Sequence, residues 1–459
     1  MISGTTKPVD IIGGGLAGSE AALWLARRGI AVRLFEMRPY VMTGAHKTGS
    51  LAELVCSNSL KSKEPNSAPA RLKREMHLLG SFLLCAAEQA SIPGGQALTV
   101  DRDRFSQIVN DAVRTHKYIE VIGGECPAPE TTHLSLIATG PLTSSGLAGW
   151  IRENVDASNC YFYDAIAPIV DASTLDFENI FKANRYEKGG EAAYLNCPLD
   201  RETYENFIRE LLAGEKVKPK DFEEERLFQG CQPIESIAAT GPESLRFGPM
   251  KPVGLTDPKT DRRPYAAIQL RAENAAGTAF NLVGFQTKLT YPEQKRVFAM
   301  IPALKHAEYF RMGSIHRNFF INSPVLLESS LALRSRPNVF FAGQITGVEG
   351  YTESMAMGLW AAIGIFCRLR GRTLTPPPET TAIGALVRAV TKGNTEDFQP
   401  MNINFGIFPP LTENDPKPRG RDENRRFLLE RAERDFEAWL MEFKSALDST
   451  VHSSPHDSA

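Results

Sequence analysis

The sequence predicts an α/β fold, a Rossmann-like nucleotide-binding domain with a doubly wound sheet interrupted by an α+β insertion. Three observations carry this. Near the N-terminus a strand, a glycine-rich turn, a helix, a second strand and an acid follow one another within about 30 residues. Strand-to-glycine turns recur at 134–141 and 338–344. Between them runs a stretch punctuated by Pro and Gly that has no second strand–GxGxxG–helix unit.

Taken in order, Val9-Asp10-Ile11-Ile12 reads as a short buried strand and Gly13 to Gly18 as the turn. Ser19 to Arg28 has the pattern of an amphipathic helix stopped by Gly29, and Ile30 to Phe35 that of a strand closed by Glu36. Arg104 to His116 carries helical spacing through Phe105, Ile108, Val109, Ala112 and Val113. Leu134 to Ile137 runs into Ala138-Thr139-Gly140-Pro141, as a further strand of the same sheet would. Asn338 to Phe341 runs into Ala342-Gly343-Gln344, with a helix expected over Glu353–Leu369. A charged helix is expected over Asp422–Ala446. The resulting division is 1–165 for the first part of the nucleotide-binding domain and 166–324 for the insertion. The second part with the C-terminal helix takes 325–446, and 447–459 is a disordered Ser/His tail.

Composition narrows the class. Hydrophobic residues make up 42% and charged residues 23%, near globular averages. No apolar run approaches the ~18 residues that cross a bilayer, and Met1 to Lys7 leads straight into a strand, so a cytoplasmic protein with no membrane association is expected. Cysteines at 56, 85, 126, 160, 197, 231 and 367 form no Cys-x-x-Cys pair or zinc knuckle, so neither a metal site nor a disulfide reductase is expected. The net charge of −2 does not advertise nucleic-acid binding, though a basic face can exist on a chain of any total charge. Candidate basic groups are Arg71-Leu72-Lys73-Arg74, Lys259 to Arg263, Lys295-Arg296, Lys305 through Arg317, and Arg419 to Arg426.

The chemistry starts at the glycines. Gly13, Gly15 and Gly18 hold the GxGxxG positions, with Gly14, Leu16 and Ala17 between them. The first allows the tight turn, the second lets a pyrophosphate approach the backbone, and the third lets helix and strand pack closely. The helix N-terminus then offers free N–H groups to phosphate. Glu36 stands where an acid grips the adenosine ribose and would repel a 2′-phosphate, which disfavours NADP at this site. The segment Phe341 to Gln344 is similar to the second flavin motif of FAD proteins. With Gly140, Gly347, Gly350 and the helix at Glu353 it is expected to face the ribityl chain and ring, so the predicted fold is an FAD-binding one. Cys56, in Glu53-Leu54-Val55-Cys56-Ser57-Asn58, and Cys231, in Gln229-Gly230-Cys231-Gln232-Pro233, are the two thiols in loop contexts suited to chemistry. The sequence does not show that they meet.

With these residues in view, the chain resembles the folate- and FAD-dependent tRNA (uracil-5-)-methyltransferase family over about Val9 to Pro409. The most specific blocks are Ile12–Glu20, Ala52–Leu60, Gly248–Leu255 and Gly343–Tyr351. The resemblance implies an enzyme that takes a carbon from 5,10-methylenetetrahydrofolate, reduces it with FAD recharged by NADH or NADPH, and makes 5-methyluridine in the T-arm of tRNA. It also implies two catalytic cysteines, matching Cys56 and Cys231, and no obligate protein partner. The chain departs from the family pattern at Met355 to Trp360, which bears on the shape of the pocket beside the flavin. Rival readings are the same chemistry on ribosomal RNA, a non-catalytic FAD-binding RNA scaffold, and a plain NAD(P)H oxidase. A wobble-uridine modifier with a GTPase partner would carry a longer helical C-terminal domain.

Overall fold

A computed structural model describes residues 7–155, 160–187, 192–217, 232–396, 398–413 and 415–448. Its centre is a five-stranded parallel sheet in the order Val339–Phe341, Ser135–Ile137, Val9–Ile12, Val32–Glu36, Ile119–Gly123. Ile11 pairs with Leu34 on one side and Leu136 on the other, and Leu136 pairs with Phe340. Strand order turns back at Val9–Ile12, and a crevice opens there beyond the carboxyl ends of the strands.

All four residues of Val9–Ile12 are buried, as a parallel strand covered on both faces requires. Asp10 tolerates this because Arg33 donates to both its oxygens at 2.7 Å and His133 Nε2 lies 2.9 Å away. The helix after the turn is Leu16–Ala26, three residues earlier than the apolar spacing suggested, because Gly15 is its N-cap and Leu16-Ala17-Gly18 its first turn. It is buried along its whole length and packs against the long helix Tyr351–Leu369. There Gly358 allows the approach: a Cβ on it would lie 2.2 Å from Ala17 O. Met355 to Trp360 are thus core, and none of them lines the cleft, contrary to the expectation that they bear on the pocket beside the flavin. The helix expected from Arg104 begins at Arg102, capped by Asp101, whose carboxylate accepts from Arg104 N–H at 3.1 Å.

Two buried carboxylates fasten helices distant in sequence. Glu20 accepts from Ser81 Oγ at 2.8 Å and from the N–H groups of Phe82 and Leu83 at 2.9 Å, capping the helix Phe82–Gln89. Glu75 accepts from Ala382 and Ile383 N–H at 2.8 Å and caps Ala382–Lys392. Burial raises each carboxyl to about 7, against the pull of those same hydrogen bonds.

The insertion is an antiparallel sheet in the order Phe181–Lys182, Tyr194–Leu199, Ala266–Ala272, Ala279–Leu282, Ile169–Asp171, Tyr309–Arg311. It has a separate core around Phe207, Ile268, Phe285 and Phe298. The strands Cys160–Ile166 and Ser314–Phe320 pair antiparallel and link it to the parallel sheet. A small sheet of Ser59–Ser62, Ala97–Val100 and Ser91–Ile92 lies between the two. The helix Arg421–Asp448 covers the core through Phe436 and Trp439. Among the described residues no helix is long and apolar enough to cross a membrane.

Candidate active site

The crevice is an open cleft holding about 1010 Å³ of space with its solvent-filled mouth included. Of the residues expected to hold a dinucleotide, Gly13, Gly15, Leu16, Ala17, Glu36, Gly140, Gly343 and Gln344 line it. Gly13 sits at φ +105°, and a Cβ there would be 2.7 Å from Ala138 O, so only glycine fits. A Cβ on Gly15 would meet nothing within 4 Å and would project into open space at the helix N-terminus. That terminus has no side-chain cap and no acid in its first turn, so its N–H groups remain available to an anion.

Gly14, Gly18, Gly347 and Gly350 do not line the cleft. Gly14 N–H donates to Glu36 Oε2 at 2.9 Å, and a Cβ on Gly18 would fall 1.9 Å from Gly13 O. Gly347 abuts the Phe398 ring, and Gly350, the N-cap of the long helix at φ +116°, abuts the Glu353 carboxylate and Lys61 Nζ. These four shape the turns that carry the lining residues.

Glu36 is more constrained than the fingerprint suggested. Arg38 donates to it from its backbone N–H, Nε and Nη2 at 3.0, 2.9 and 3.1 Å, and reaches Glu53 with Nη1 at 3.3 Å. Burial would raise the Glu36 carboxyl, but Arg38 outweighs it and holds it below the usual range. The neighbouring guanidinium also weakens the charge argument against a 2′-phosphate. Glu53 in turn gathers the 47–53 loop, accepting from Lys47 N–H at 2.8 Å and Thr48 Oγ1 at 2.8 Å. His46 lines the cleft as a neutral ring, pushed down to about 4 by burial and then by Arg38.

Cys56 lies half-buried between two cleft-lining residues, Val55 and Tyr351. Its loop is held by the backbone. Tyr351 Oη accepts from Cys56 N–H at 2.6 Å and Ser57 N–H at 3.1 Å. Arg102 donates to the carbonyls of Leu54 and of Cys56, the latter at 3.0 Å, and pairs with Glu273 of the insertion. Arg311 donates to Val55 O. Asn58 completes the seam: its amide donates to Val100 O and Ala272 O at 2.9 Å, and Arg271 Nε donates to its carbonyl at 3.0 Å. Two guanidinium charges therefore sit on the loop that carries the thiol. Burial pulls Arg102 down, but Glu273 together with Tyr351 and Cys56 outweighs it and raises the guanidinium, whereas burial, then Arg102, lowers Arg311.

Cys231 lies outside the described residues, and nothing structural is assigned to it. Sequence reasoning missed Arg38, Arg102 and Tyr351, and it placed Arg311 only in a basic group, not beside Cys56. Tyr351 closes the block Gly343–Tyr351, but only the glycines of that block invited a role. The first basic cluster is not a free face: Arg71 and Lys73 are buried, Arg71 paired with Glu75 and Glu433 and Lys73 bonded to Ser62 O at 2.9 Å. Away from the cleft, His77, Cys85 and Glu88 bring their ligand atoms within 4.8 Å of one another, a grouping not apparent from sequence spacing.

Residues 8–373 match the family model described as glucose inhibited division protein A. A methylenetetrahydrofolate–tRNA-(uracil-5-)-methyltransferase TrmFO from Geotalea daltonii is 51% identical over 431 residues, covering 94% of this chain and 98% of that one. The TrmFO of Geobacter sulfurreducens is 51% identical over 435 residues, covering 95% and 99%. The chain belongs to the TrmFO family. TrmFO of Sulfurihydrogenibium sp. is as close, at 50% over 439 residues, covering 96% and 99%. Among solved structures, Aquifex aeolicus GidA superimposes with a TM-score of 0.68 at 17% identity. The match covers 95% of this chain and 74% of the longer GidA chain, which establishes a shared fold. A TrmFO-family chain therefore carries the α/β fold with insertion that its glycines and strand pattern predicted.

Proposed function

We propose that this chain methylates carbon 5 of a uridine in the T-arm of tRNA, as a methylenetetrahydrofolate–tRNA-(uracil-5-)-methyltransferase. The carbon comes from 5,10-methylenetetrahydrofolate and the reducing equivalents from NADH or NADPH. The supporting observation is the position of Cys56, on a pinned loop between cleft-lining Val55 and Tyr351. Membership of the TrmFO family supports the same reading. In it the enzyme acts in the cytoplasm and needs no obligate protein partner.

The cleft fits FAD: a Cβ at Gly15 would fill space beside an uncapped helix terminus, where a pyrophosphate belongs. Gly13, Gly15, Leu16 and Ala17 would hold the phosphates and Glu36, fixed by Arg38, the adenosine ribose. Gly140, Gly343 and Gln344 would face the ribityl and ring portion, on turns shaped by Gly347 and Gly350. When bound, the flavin supplies the reduction of the transferred carbon.

The protein supplies the activation of uracil. Carbon 5 is a weak nucleophile until the Cys56 thiolate adds to carbon 6. That forms an S–C6 bond and moves the C5=C6 electron pair into an enolate, from which carbon 5 bonds to the methylene carbon. A base takes the proton from carbon 5, and that electron pair forms a C5=CH2 double bond as tetrahydrofolate leaves with the electrons of its bond to the methylene carbon. Hydride reduction of this carbon to methyl moves the C5=CH2 pair to C5=C6, and the thiolate leaves with the S–C6 electrons. Arg102 and Arg311 provide the cationic setting that favours a thiolate, and Tyr351 keeps the loop in place. Cys231 is assigned to base or flavin chemistry. The uridine must leave its stacked loop to reach the thiol.

The decisive assay supplies unmodified tRNA transcript, NADPH and methylenetetrahydrofolate labelled in the transferred carbon, and seeks label in 5-methyluridine. Label that requires both folate and reductant establishes the reaction. Yellow, folded protein that leaves tRNA unlabelled rejects the tRNA target, and ribosomal RNA is then tried. Trapping a covalent complex with 5-fluorouridine tRNA in Cys56→Ala but not Cys231→Ala would reverse the thiol roles.

A further inference from the structure

A second recess opens between the small three-stranded sheet and the edge of the antiparallel sheet. It holds about 620 Å³ of space with its solvent-filled mouth included and is lined by Ser62, Gln96, Asn184, Arg185, Tyr194 and Gln269 among others. Its walls are fixed. Tyr194 donates its hydroxyl to Gly94 O at 3.2 Å, Asn184 Oδ1 accepts from Ala193 N–H at 2.8 Å, and Gln269 Nε2 donates to Asn196 Oδ1 at 2.9 Å. Asn184 and Gln269 are both buried, so the recess has a polar wall held by hydrogen bonds.

Arg185 determines what such a recess can take. Arg38, Arg102 and Arg431 each lie against a carboxylate. Arg185 has no carboxylate partner among the described residues. It donates to Pro249 O at 3.4 Å, while its Nε is shut off from water and has no hydrogen-bond partner among the described residues. Burial lowers its guanidinium from the usual range. A partly buried cation without a counter-charge is unfavourable in the empty protein, and an anion in the recess would remove that penalty.

The recess also adjoins the candidate active site. Gln269 and Arg271 are two apart on the strand Ala266–Ala272 and so share a face, about 7 Å from each other. Arg271 holds Asn58, two residues beyond Cys56. Ser62, on the recess wall, follows Lys61, whose ammonium pairs with Glu353 at the start of the long helix. One hydrogen-bonded seam therefore braces both the recess wall and the thiol loop, and a substrate that spans the two would pass over it.

We propose that this recess is an anion subsite in which Arg185, with Asn184, Tyr194 and Gln269, holds a carboxylate or phosphate of one of the enzyme's substrates. The proposal rests on the methyltransferase reading. It leaves two sources for the anion, the glutamyl tail of the folate donor and a backbone phosphate of the RNA.

The test compares flavin-loaded full-length enzyme with Arg185→Met and Arg185→Lys. For the substrate that supplies the anion, Arg185→Met raises KM about tenfold or more, Arg185→Lys raises it less, and the loss lies in KM rather than kcat. If the source is the folate tail, a donor lacking the glutamyl group shows the same rise with wild-type enzyme, and Arg185→Met adds nothing. If it is RNA, the KM for tRNA rises and the slope of log affinity against log salt falls by about 1. The melting temperature of Arg185→Met stays level or rises, because an uncompensated cation has gone. A merely structural arginine would lower it. Unchanged KM values for both substrates overturn the proposal, as does a lower melting temperature with equal losses for both. Equilibrium binding of tailed folate and of tRNA to both proteins reads the subsite without turnover. Failure of methylation and failure of the subsite are thus told apart.

Discussion

Gly15 and Gly18 belong to one motif but should fail in different ways when each is replaced by alanine. At Gly18 the new Cβ would sit 1.9 Å from Gly13 O and 3.1 Å from Gly13 C, and the obstacle is backbone that cannot swing aside. Overpacking of this kind costs about 3 kcal/mol or more once strand and helix are forced apart. At ~2–4 °C per kcal/mol for a large domain, flavin-free Gly18→Ala should melt at least about 6 °C below wild type. At Gly15 the backbone, at φ −74° and ψ −165°, already suits an L residue, and nothing lies within 4 Å of the new carbon. Flavin-free Gly15→Ala should therefore stay within about 1 kcal/mol of wild type. Its methyl group occupies the space where phosphate oxygens would meet the helix N–H groups. Loss of one charge-assisted hydrogen bond weakens FAD binding about 10- to 150-fold. The assay is a flavin titration beside a melting curve of each apoprotein. The reasoning is refuted if Gly15→Ala melts early yet keeps its flavin affinity, or if Gly18→Ala melts with wild type.

Removing the Tyr351 hydroxyl by Tyr351→Phe strips acceptors from the N–H groups of Cys56 and Ser57. At ~1–3 kcal/mol for each, these two amides should exchange hydrogen about 5- to 150-fold faster while those of Ala97–Val100 hold steady; equal rates would remove the pinning role. Arg102→Met leaves the buried Glu273 carboxylate without its partner and should cost about 3–5 kcal/mol in urea unfolding. Arg102→Met with Glu273→Leu should recover most of it, and a double variant as weak as the single one would refute the pairing. Burial lifts Glu20 and Glu75 from 4.5 to about 7, so the folded state binds these protons more tightly than the unfolded one. Stability from this source is full below about pH 4.5 and lost as pH rises to about 7; Glu20→Gln with Glu75→Gln should flatten the change in urea midpoint between pH 5 and pH 8, and an unaltered change counts against it.

What could be read from the sequence was local. The strand, turn, helix, strand and acid lie within one stretch, and their spacing reports backbone geometry that glycine alone permits at Gly13. The recurrence of strand-to-glycine turns at Gly140 and Gly343 gave the sheet its later members for the same reason. The groups that fix the site come from afar. Tyr351 binds a loop 295 residues earlier, and Ala272 O meets Asn58 across 214 residues. No periodicity within a segment encodes such a meeting. Arg38 was close at hand, two residues from Glu36, yet an arginine after a strand carries no signal of direction. Met355 to Trp360 misled because their motif runs beside the cleft, while helical geometry turns these side chains into the core.

The strand order has a consequence for synthesis. Ser135–Ile137 pairs with Val9–Ile12 on one edge and with Val339–Phe341 on the other. The second partner leaves the ribosome about 200 residues after Ser135–Ile137 itself, an interval of roughly 10–40 s at ~5–20 residues per second. Throughout that interval the nascent sheet presents a bare apolar edge, the kind that recruits foreign strands. The polypeptide made meanwhile is the insertion, which carries its own core and can condense beside the open edge before the last strand arrives. Slow or stalled translation between residues 138 and 338 should therefore expose this protein to aggregation more than a stall of equal length after the sheet is closed.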